Sequence, residues 1–317
     1  MTPQYLAYLA PVRASTQLWR LITGLMLIAG IYVAWNITIG LVLWLAPVTD
    51  QIIAWALGRG DLAWFLDGLD GFDQRLSRVG QGADPWSLIL LLITFLGLWF
   101  GVILTLRLLH AHRLSDILGR APTVLRDFTL GVAMMAAIGG GLALVLIQTP
   151  LMPGLELAIA PSVWLGFLPL ALIGILIQTG AEELVFRGYL QGQLAARFAS
   201  PLIWLGVPTA LFGLAHYNPA ELGTNTWLVV ASTGLFGLVA SDLTARTASL
   251  GLAWGLHFAN NVLAILIISV MGGLDGLALL TMPSPEGTAA LLRPLLIADM
   301  VLMVTVWAAC RLWLRRR

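Results

Sequence analysis

The 317-residue sequence has no lysine, a single cysteine and few charged residues of either sign. Because Cys310 is alone, an intrachain disulfide and a zinc site built from several cysteines are both excluded. All 17 basic residues are arginines, which is typical of a GC-rich bacterial genome. They are balanced by 16 acidic residues, so the net charge of +1 creates no basic field. We therefore expect no nucleic-acid partner.

Charged residues make up only 10% of the chain, whereas 59% of it is hydrophobic and the mean hydropathy is +0.90. Soluble domains are nearer to a quarter charged, because a surface that faces water must be polar. An ordinary soluble enzyme is therefore excluded. The apolar runs also lack the alternation of polar and apolar residues that is typical of outer-membrane barrels. The composition predicts an all-α, polytopic membrane protein.

A helix needs about 20 apolar residues to cross a bilayer core of roughly 30 Å. Windows of that length predict a bundle of about eight transmembrane helices, near residues 21–46, 86–106, 128–149, 163–187, 201–217, 227–243, 250–272 and 294–314. We predict N-terminal transmembrane helices over residues 1–125 and a core over residues 126–317. A polar external loop at 47–85 is expected to contain a short interfacial helix.

The distribution of arginine predicts the orientation of the bundle, because cytoplasmic loops retain positive charge. If the N-terminus is inside, the outer segments contain only Arg59, Arg75, Arg78 and Arg293. We therefore predict a protein of the bacterial inner (plasma) membrane with both termini in the cytoplasm. His110 and His112 fall in the arginine-rich loop 107–127 and are expected to face solvent or lipid headgroups.

Ionisable side chains are costly inside a bilayer, so those that occur there are candidates for function. The sequence concentrates them in the fourth, fifth and seventh predicted spans, in the segments GAEELVFR (180–187), FGLAH (212–216) and HFANN (257–261). Each segment also has a simpler explanation. The acidic pair can be an interfacial charge cluster, and a histidine or asparagine can simply hydrogen-bond a neighbouring helix. Gln178 is expected to make such an interhelical bond.

Helical geometry sorts the residues within these segments. Glu183 and Arg187 are four residues apart and can form an ion pair on one face. Glu182 lies about 100° around the helix and is free to point elsewhere. His257 and Asn261 project together from their own helix, again four residues apart.

In the fifth span, Phe212 lies one turn before His216, and its ring can cover one side of the His216 imidazole. One carboxylate, two imidazoles and one amide could thus converge from three helices. These are the groups needed to activate water and to stabilise an oxyanion. We expect them to line a polar cavity that opens to the cytoplasm, because water then crosses the least hydrocarbon to reach Glu182.

Straight helices would leave Glu182 and His216 at different depths, by more than about 10 Å. We therefore expect the fourth helix to continue through Leu190 and Ala195. We also expect Pro208 to kink the fifth helix.

Taken in order, Glu182-Glu183-x-x-x-Arg187, Phe212-x-x-x-His216 and His257-x-x-x-Asn261 resemble the three signature motifs of the CPBP family. This family contains the CAAX proteases and bacteriocin-processing enzymes, and is also called the type II CAAX prenyl endopeptidase or Abi family. CAAX prenyl protease 2, a eukaryotic member, also has eight helices. The resemblance covers roughly residues 160–272.

The resemblance implies an intramembrane endopeptidase with its active site inside the bilayer. It assigns Glu182 as the catalytic carboxylate and His216 as its partner in positioning water. His257 and Asn261 correspond to the pair that steadies the oxyanion. Glu183 and Arg187 correspond to a supporting pair, with Phe212 beside them.

The residues leave open whether a divalent metal such as zinc takes part in the reaction. Its candidate ligands are Glu182, His216 and His257. No His-Glu-x-x-His helix is present, and asparagine is a poor zinc ligand. If zinc took Glu182 as a ligand, Glu183 would be the nearest alternative base. The favoured mechanism is attack on the peptide bond by a water molecule that Glu182 and His216 activate.

The expected substrate is a peptide bond in a membrane-embedded, lipid-anchored or hydrophobic peptide, with the lipid bilayer as the surrounding partner. The main alternative is a non-catalytic membrane scaffold or a bacteriocin-immunity-type binding protein. A secondary transporter would predict inverted repeats and paired broken helices, and the sequence has no such repeats.

Overall fold

The structure is a computed structural model of the chain that describes residues 1–56, 72–152, 154–271, 273–282 and 288–316. Within these ranges it is a bundle of apolar helices with one small sheet, which confirms the prediction of an all-α, polytopic membrane protein. Residues 57–71 of the predicted loop 47–85 lie outside the described residues. On either side of them, helices end at Ala56 and begin at Phe72. The division of the chain at residue 125 stays a prediction.

The α-helices follow one another along the whole chain. In its first part they are α1 (Pro3–Tyr8), α2 (Leu18–Ala56), α3 (Phe72–Gln81), α4 (Pro85–Thr94), α5 (Leu96–Thr105) and α6 (Ser115–Leu118). In the remainder they are α7 (Ala121–Leu146), α8 (Pro161–Glu183), α9 (Gly192–Arg197), α10 (Pro201–Trp204), α11 (Gly206–Leu214), α12 (Pro219–Leu222), α13 (Thr226–Thr247), α14 (Gly251–Asn261) and α15 (Thr288–Arg315).

Other helical forms interrupt or extend this series. Short 3-10 helices occur at Val12–Ser15 and Gly223–Asn225. π-Helical segments continue α5, α8 and α14 directly, over Leu106–His110, Leu184–Gln191 and Val262–Ile267. π-Helical turns are rare and are frequently found at functional sites. The second of these segments begins immediately after Glu183.

A helical segment lies in each of the eight predicted spans, although the seventh, predicted over 250–272, is helical only as far as Ile267. Among the described residues, six are long and apolar enough to cross a membrane, namely Leu18–Leu45, Pro85–His110, Ala121–Leu146, Pro161–Arg197, Pro219–Thr247 and Leu292–Arg315. The other two predicted spans correspond to shorter apolar helices, Pro201–Leu214 and Gly251–Ile267.

The expected extension of the fourth helix is confirmed, because the helical segment runs without a break from Pro161 to Arg197. The fifth span is divided at Leu205, between α10 and α11. Pro208 has no N–H to bond the carbonyl of Trp204, so the proline accounts for this break.

Three short strands form a sheet with the order β1-β3-β2. The strands are β1 (Glu156–Leu157), β2 (Ile268–Val270) and β3 (Leu280–Met282). The central strand β3 is antiparallel to β1 and parallel to β2. Strands of two or three residues leave no alternating pattern to read, so the sequence did not predict them.

Helices α7 and α14 pack closely because glycines line their contact. A Cβ atom built on Gly255 would lie 2.1 Å from the carbonyl oxygen of Phe128, and one on Gly251 would lie 2.2 Å from that of Val124. On the other helix, a Cβ at Gly131 would meet the Leu252 oxygen at 2.5 Å. Gly251 and Gly255 form a small-xxx-small pair, a spacing that lets membrane helices approach backbone to backbone.

We expect Gly255→Ala to lower the thermal midpoint of unfolding, because the added methyl must push α14 away from α7, and α14 contains His257 and Asn261. The measurement is a thermal melt of the purified protein in detergent. Gly141→Ala on α7 is the matched control, because a methyl group added there would meet no atom within 4 Å. Equal melting temperatures for the two variants would contradict the close packing.

Candidate active site

The ion pair predicted between Glu183 and Arg187 is confirmed. Arg187 Nη1 donates to Glu183 Oε1 over 3.2 Å, and both residues are completely buried. Glu183 is the last residue of α8, and Arg187 lies in the π-helical segment that follows. A charge without a partner at this depth would be strongly unfavourable, so each of these two residues requires the other.

Aromatic rings enclose the remaining surface of the Arg187 guanidinium. Its Cζ lies 4.3 Å from the ring centre of Phe212, 5.5 Å from that of Phe236 and 5.9 Å from that of Phe186. Cation–π attraction stabilises a desolvated guanidinium in such a setting. Arg187 thereby connects α8 to the helices that contain Phe212 and Phe236, which are α11 and α13.

His257 lies between the two glutamates. Its Nδ1 is 2.9 Å from Glu183 Oε1, which is a hydrogen bond. Its Nε2 is 3.5 Å from Glu182 Oε2, which is within ion-pair range but long for a hydrogen bond. The histidine on α14 thus brings the adjacent carboxylates of α8 into one polar cluster.

Asn261 joins the same cluster through Gln178. Asn261 Nδ2 donates to Gln178 Oε1 over 2.9 Å, and Gln178 Nε2 donates to Glu182 Oε1 over 2.7 Å. The expected interhelical bond of Gln178 is therefore confirmed. It connects α8 to α14.

His216 lies beside this cluster and not in direct contact with the glutamates. Its Nδ1 donates to the backbone carbonyl of Phe212 over 2.9 Å, which leaves Nε2 with a lone pair in the neutral ring. The Phe212 ring centre is 5.0 Å from His216 and 6.1 Å from His257, so both imidazoles pack on one phenyl ring. Among the hydrogen bonds and ion pairs of the described residues, none joins His216 to Glu182.

The structure thus brings five of the seven predicted residues into one connected cluster: Glu182, Glu183, Arg187, His257 and Asn261. Phe212 and His216 adjoin it through ring contacts. Gln178 was predicted to hydrogen-bond a neighbouring helix but not to belong to the site, although its position one turn before Glu182 was a usable signal. Phe186 and Phe236 were missed, because phenylalanine in an apolar helix carries no distinguishing signal.

His110 does not face solvent or headgroups as expected. It is only 4% exposed. Its Nδ1 lies 3.1 Å from the carbonyl oxygen of Ser15, and its Nε2 lies 3.0 Å from Tyr189 Oη. The segment Leu106–His110 is a π-helical continuation of the second span and not a loop, so the prediction was wrong.

A zinc ion needs three or four donor side chains close together. His257 Nε2 and Glu182 Oε2 are 3.5 Å apart, a separation that two ligands of one ion can have. However, no group of three His, Cys, Asp or Glu side chains among the described residues is arranged to hold a metal ion. Zinc at Glu182, His216 and His257 stays a prediction.

Residues 163–263, which contain the whole cluster, match the family described as type II CAAX prenyl endopeptidase Rce1-like. This segment is therefore similar to that family. The resemblance inferred from the three motifs is thereby confirmed. At the level of the family, the match supports a membrane-embedded endopeptidase.

The chain is also similar to the protein named "Uncharacterized protein YyaK" from Bacillus subtilis (strain 168). The two are 34% identical over 127 residues, which are 39% of this chain and 42% of that protein. The chain therefore spans less than half the length of this curated relative. No solved structure matches the chain.

Proposed function

We propose that the protein is an intramembrane endopeptidase that hydrolyses a peptide bond in a membrane-embedded or lipid-anchored substrate. The observation that carries the proposal is the position of His257 between Glu182 and Glu183, in the middle of apolar spans. Three ionisable groups at this depth have a large cost in free energy, and packing alone gives no reason to retain them. The family match over residues 163–263 supports the same reaction class.

In the proposed reaction, Glu182 is the general base and His216 positions the water. Water oxygen attacks the scissile carbonyl carbon while Glu182 Oε2 takes one of its protons. The carbon–nitrogen bond then breaks, and the proton passes from Glu182 to the leaving amine. The products are a carboxylic acid and an amine, so atoms and protons balance. His216 is suited to its role because Nε2 is the ring nitrogen left without a proton.

His257 and Asn261 are proposed to stabilise the oxyanion that forms during attack. Asn261 has two N–H donors, and only one of them is engaged by Gln178. The second is available for a developing negative charge. The hydrogen bond that Nδ1 donates to Glu183 fixes the His257 ring, whose Nε2 can donate to the oxyanion when it carries a proton. Such preorganised donors are typically worth a few kcal/mol of the activation barrier.

The proposal of a hydrophobic substrate is supported by a cavity of about 880 Å³ in the protein. Tyr8, Leu118, Leu125, Phe128 and Trp254 form part of its wall, whereas the residues of the polar cluster, which were expected to line such a cavity, do not line this one. The sequence predicts a polar cavity, but most of this lining is apolar. Such a surface suits a membrane-anchored or hydrophobic segment better than a soluble peptide.

We place the protein in the bacterial inner membrane with both termini in the cytoplasm, as the distribution of arginine indicates. With this orientation, Arg113→Cys should react with an impermeant thiol reagent only in inverted vesicles. Gln148→Cys should react only in right-side-out vesicles. Both positions are exposed, and the native Cys310 is buried. Labelling with the opposite sidedness would contradict the orientation and a cytoplasmic route to the site.

The proposed activity is tested with the purified protein in detergent and a library of membrane-anchored peptides. Cleavage detected by mass spectrometry is the expected result, and metal content is measured on the same sample. Activity of a metal-free sample would remove the zinc prediction. Binding of a peptide without cleavage under all conditions would contradict the proposal and favour the scaffold or immunity-type alternative.

A further inference from the structure

Gln178 connects two groups that the proposed reaction uses, although no motif includes it. The residue is 8% exposed and lies on α8, one turn before Glu182. Its amide orientation follows from its partners. A carboxylate can only accept, so the Gln178 NH₂ group must face Glu182, and its oxygen must face the NH₂ group of Asn261.

This arrangement makes the two carboxylate oxygens of Glu182 different. Oε1 accepts the short bond from Gln178, over 2.7 Å. Oε2 is buried and has no hydrogen-bond partner within the described ranges, and it is the oxygen that faces His257 Nε2. A carboxylate oxygen that already accepts a strong hydrogen bond is the poorer proton acceptor. The geometry therefore leaves Oε2 as the basic atom.

The same amide also links two helices. Its oxygen bonds Asn261 on α14, while its nitrogen bonds the base on α8. The directions of the two bonds run in series, from Asn261 through Gln178 to Glu182. A hydrogen-bond chain of this kind holds all its members in one geometry, and loss of a central member releases both ends.

We propose that Gln178 is a positioning residue for peptide hydrolysis, which turns Oε2 of Glu182 towards the water and aims the free N–H of Asn261 at the oxyanion. The inference rests on the proposed function. During the reaction the Gln178 amide keeps both its protons. The proton of water passes to Glu182 Oε2 and then to the leaving amine.

Gln178→Leu is expected to lower kcat about 10-fold or more with little change in KM, because orientation and not substrate binding is lost.

Gln178→Glu provides the conservative rescue. When protonated, the new carboxyl group can still donate to Glu182 and accept from Asn261. In this protonated form the variant should recover part of the kcat that Gln178→Leu loses.

Gln193→Leu is the matched control. Gln193 is also a buried amide of the fourth span, at 3% exposure, but its Nε2 lies 3.4 Å from His110 Nδ1, away from the cluster. This variant should lose thermal stability without a comparable fall in kcat. If Gln178→Leu behaves like Gln193→Leu in an active protein, the inference is wrong.

A second measurement needs no substrate. Thermal midpoints are measured for Gln178→Leu, Asn261→Leu and the double variant. If the two amides are bonded, the effects should be clearly non-additive, because the second substitution breaks a bond that is already lost. Additive effects would overturn the amide chain even if the protein is active. An inactive wild-type protein with non-additive midpoints would instead overturn the proposed function and leave the amide chain in place.

Discussion

Replacement of Glu182 by glutamine is expected to lower turnover about 100-fold or more while the protein remains folded. Glutamine keeps the size of the side chain and can still contact Gln178, but it cannot accept the proton of water. Removal of a general base typically has an effect of this size. The measurement is the initial rate of cleavage of a membrane-anchored peptide, with a thermal melt of the same preparation.

The control for this prediction is Glu221→Gln on α12, an exposed glutamate whose side chain accepts a hydrogen bond from that of Asn218. Its turnover should be unchanged. If Glu182→Gln kept near-normal activity while Glu183→Gln lost all activity at normal stability, the two glutamates would have exchanged roles.

Glu183→Gln is expected to destabilise the protein strongly, because it leaves the fully buried Arg187 without its counter-charge. Loss of one partner from a buried ion pair costs about 3–5 kcal/mol of unfolding free energy. The substitution also weakens the acceptor for His257 Nδ1. We would measure the free energy of unfolding in a denaturant series and the yield of folded protein.

An exposed ion pair provides the matched comparison. Arg78 and Asp84 lie 3.0 Å apart, but the Arg78 side chain is largely exposed. Arg78→Met should cost less than about 1 kcal/mol, since water replaces the lost partner. The double variant Glu183→Leu/Arg187→Met should recover much of the stability that Glu183→Gln loses, because no unpaired charge then remains. If Glu183→Gln and Arg78→Met lowered the free energy of unfolding by equal, small amounts, Arg187 would be hydrated and the site would not be dry.

Much of the fold could be predicted from the sequence because a membrane imposes simple rules. Hydropathy located all eight helical segments, and the depth mismatch between Glu182 and His216 correctly indicated a fourth helix that extends through Ala195. The spacing of four residues on one helix also predicted the ion pair of Glu183 and Arg187. These features depend on local composition and helical spacing, which a single sequence contains.

The features that could not be predicted from the sequence depend on contacts between distant segments of the chain. His110 was expected at the membrane surface because arginines flank it, whereas its position is set by Ser15 and Tyr189. The spacing of the motifs could not show that His257, and not His216, contacts both glutamates. That arrangement follows from how closely α14 packs in the bundle, which the glycine contacts with α7 determine.

The most direct test of the account is a single turnover of the purified protein in water enriched in oxygen-18. The account predicts cleavage of a membrane-anchored peptide with one oxygen-18 atom in the new carboxyl group, because water activated by Glu182 attacks the carbonyl carbon. The product should be absent with Glu182→Gln. A product that contains only ordinary oxygen, or the same labelled product from Glu182→Gln, would contradict the central claim.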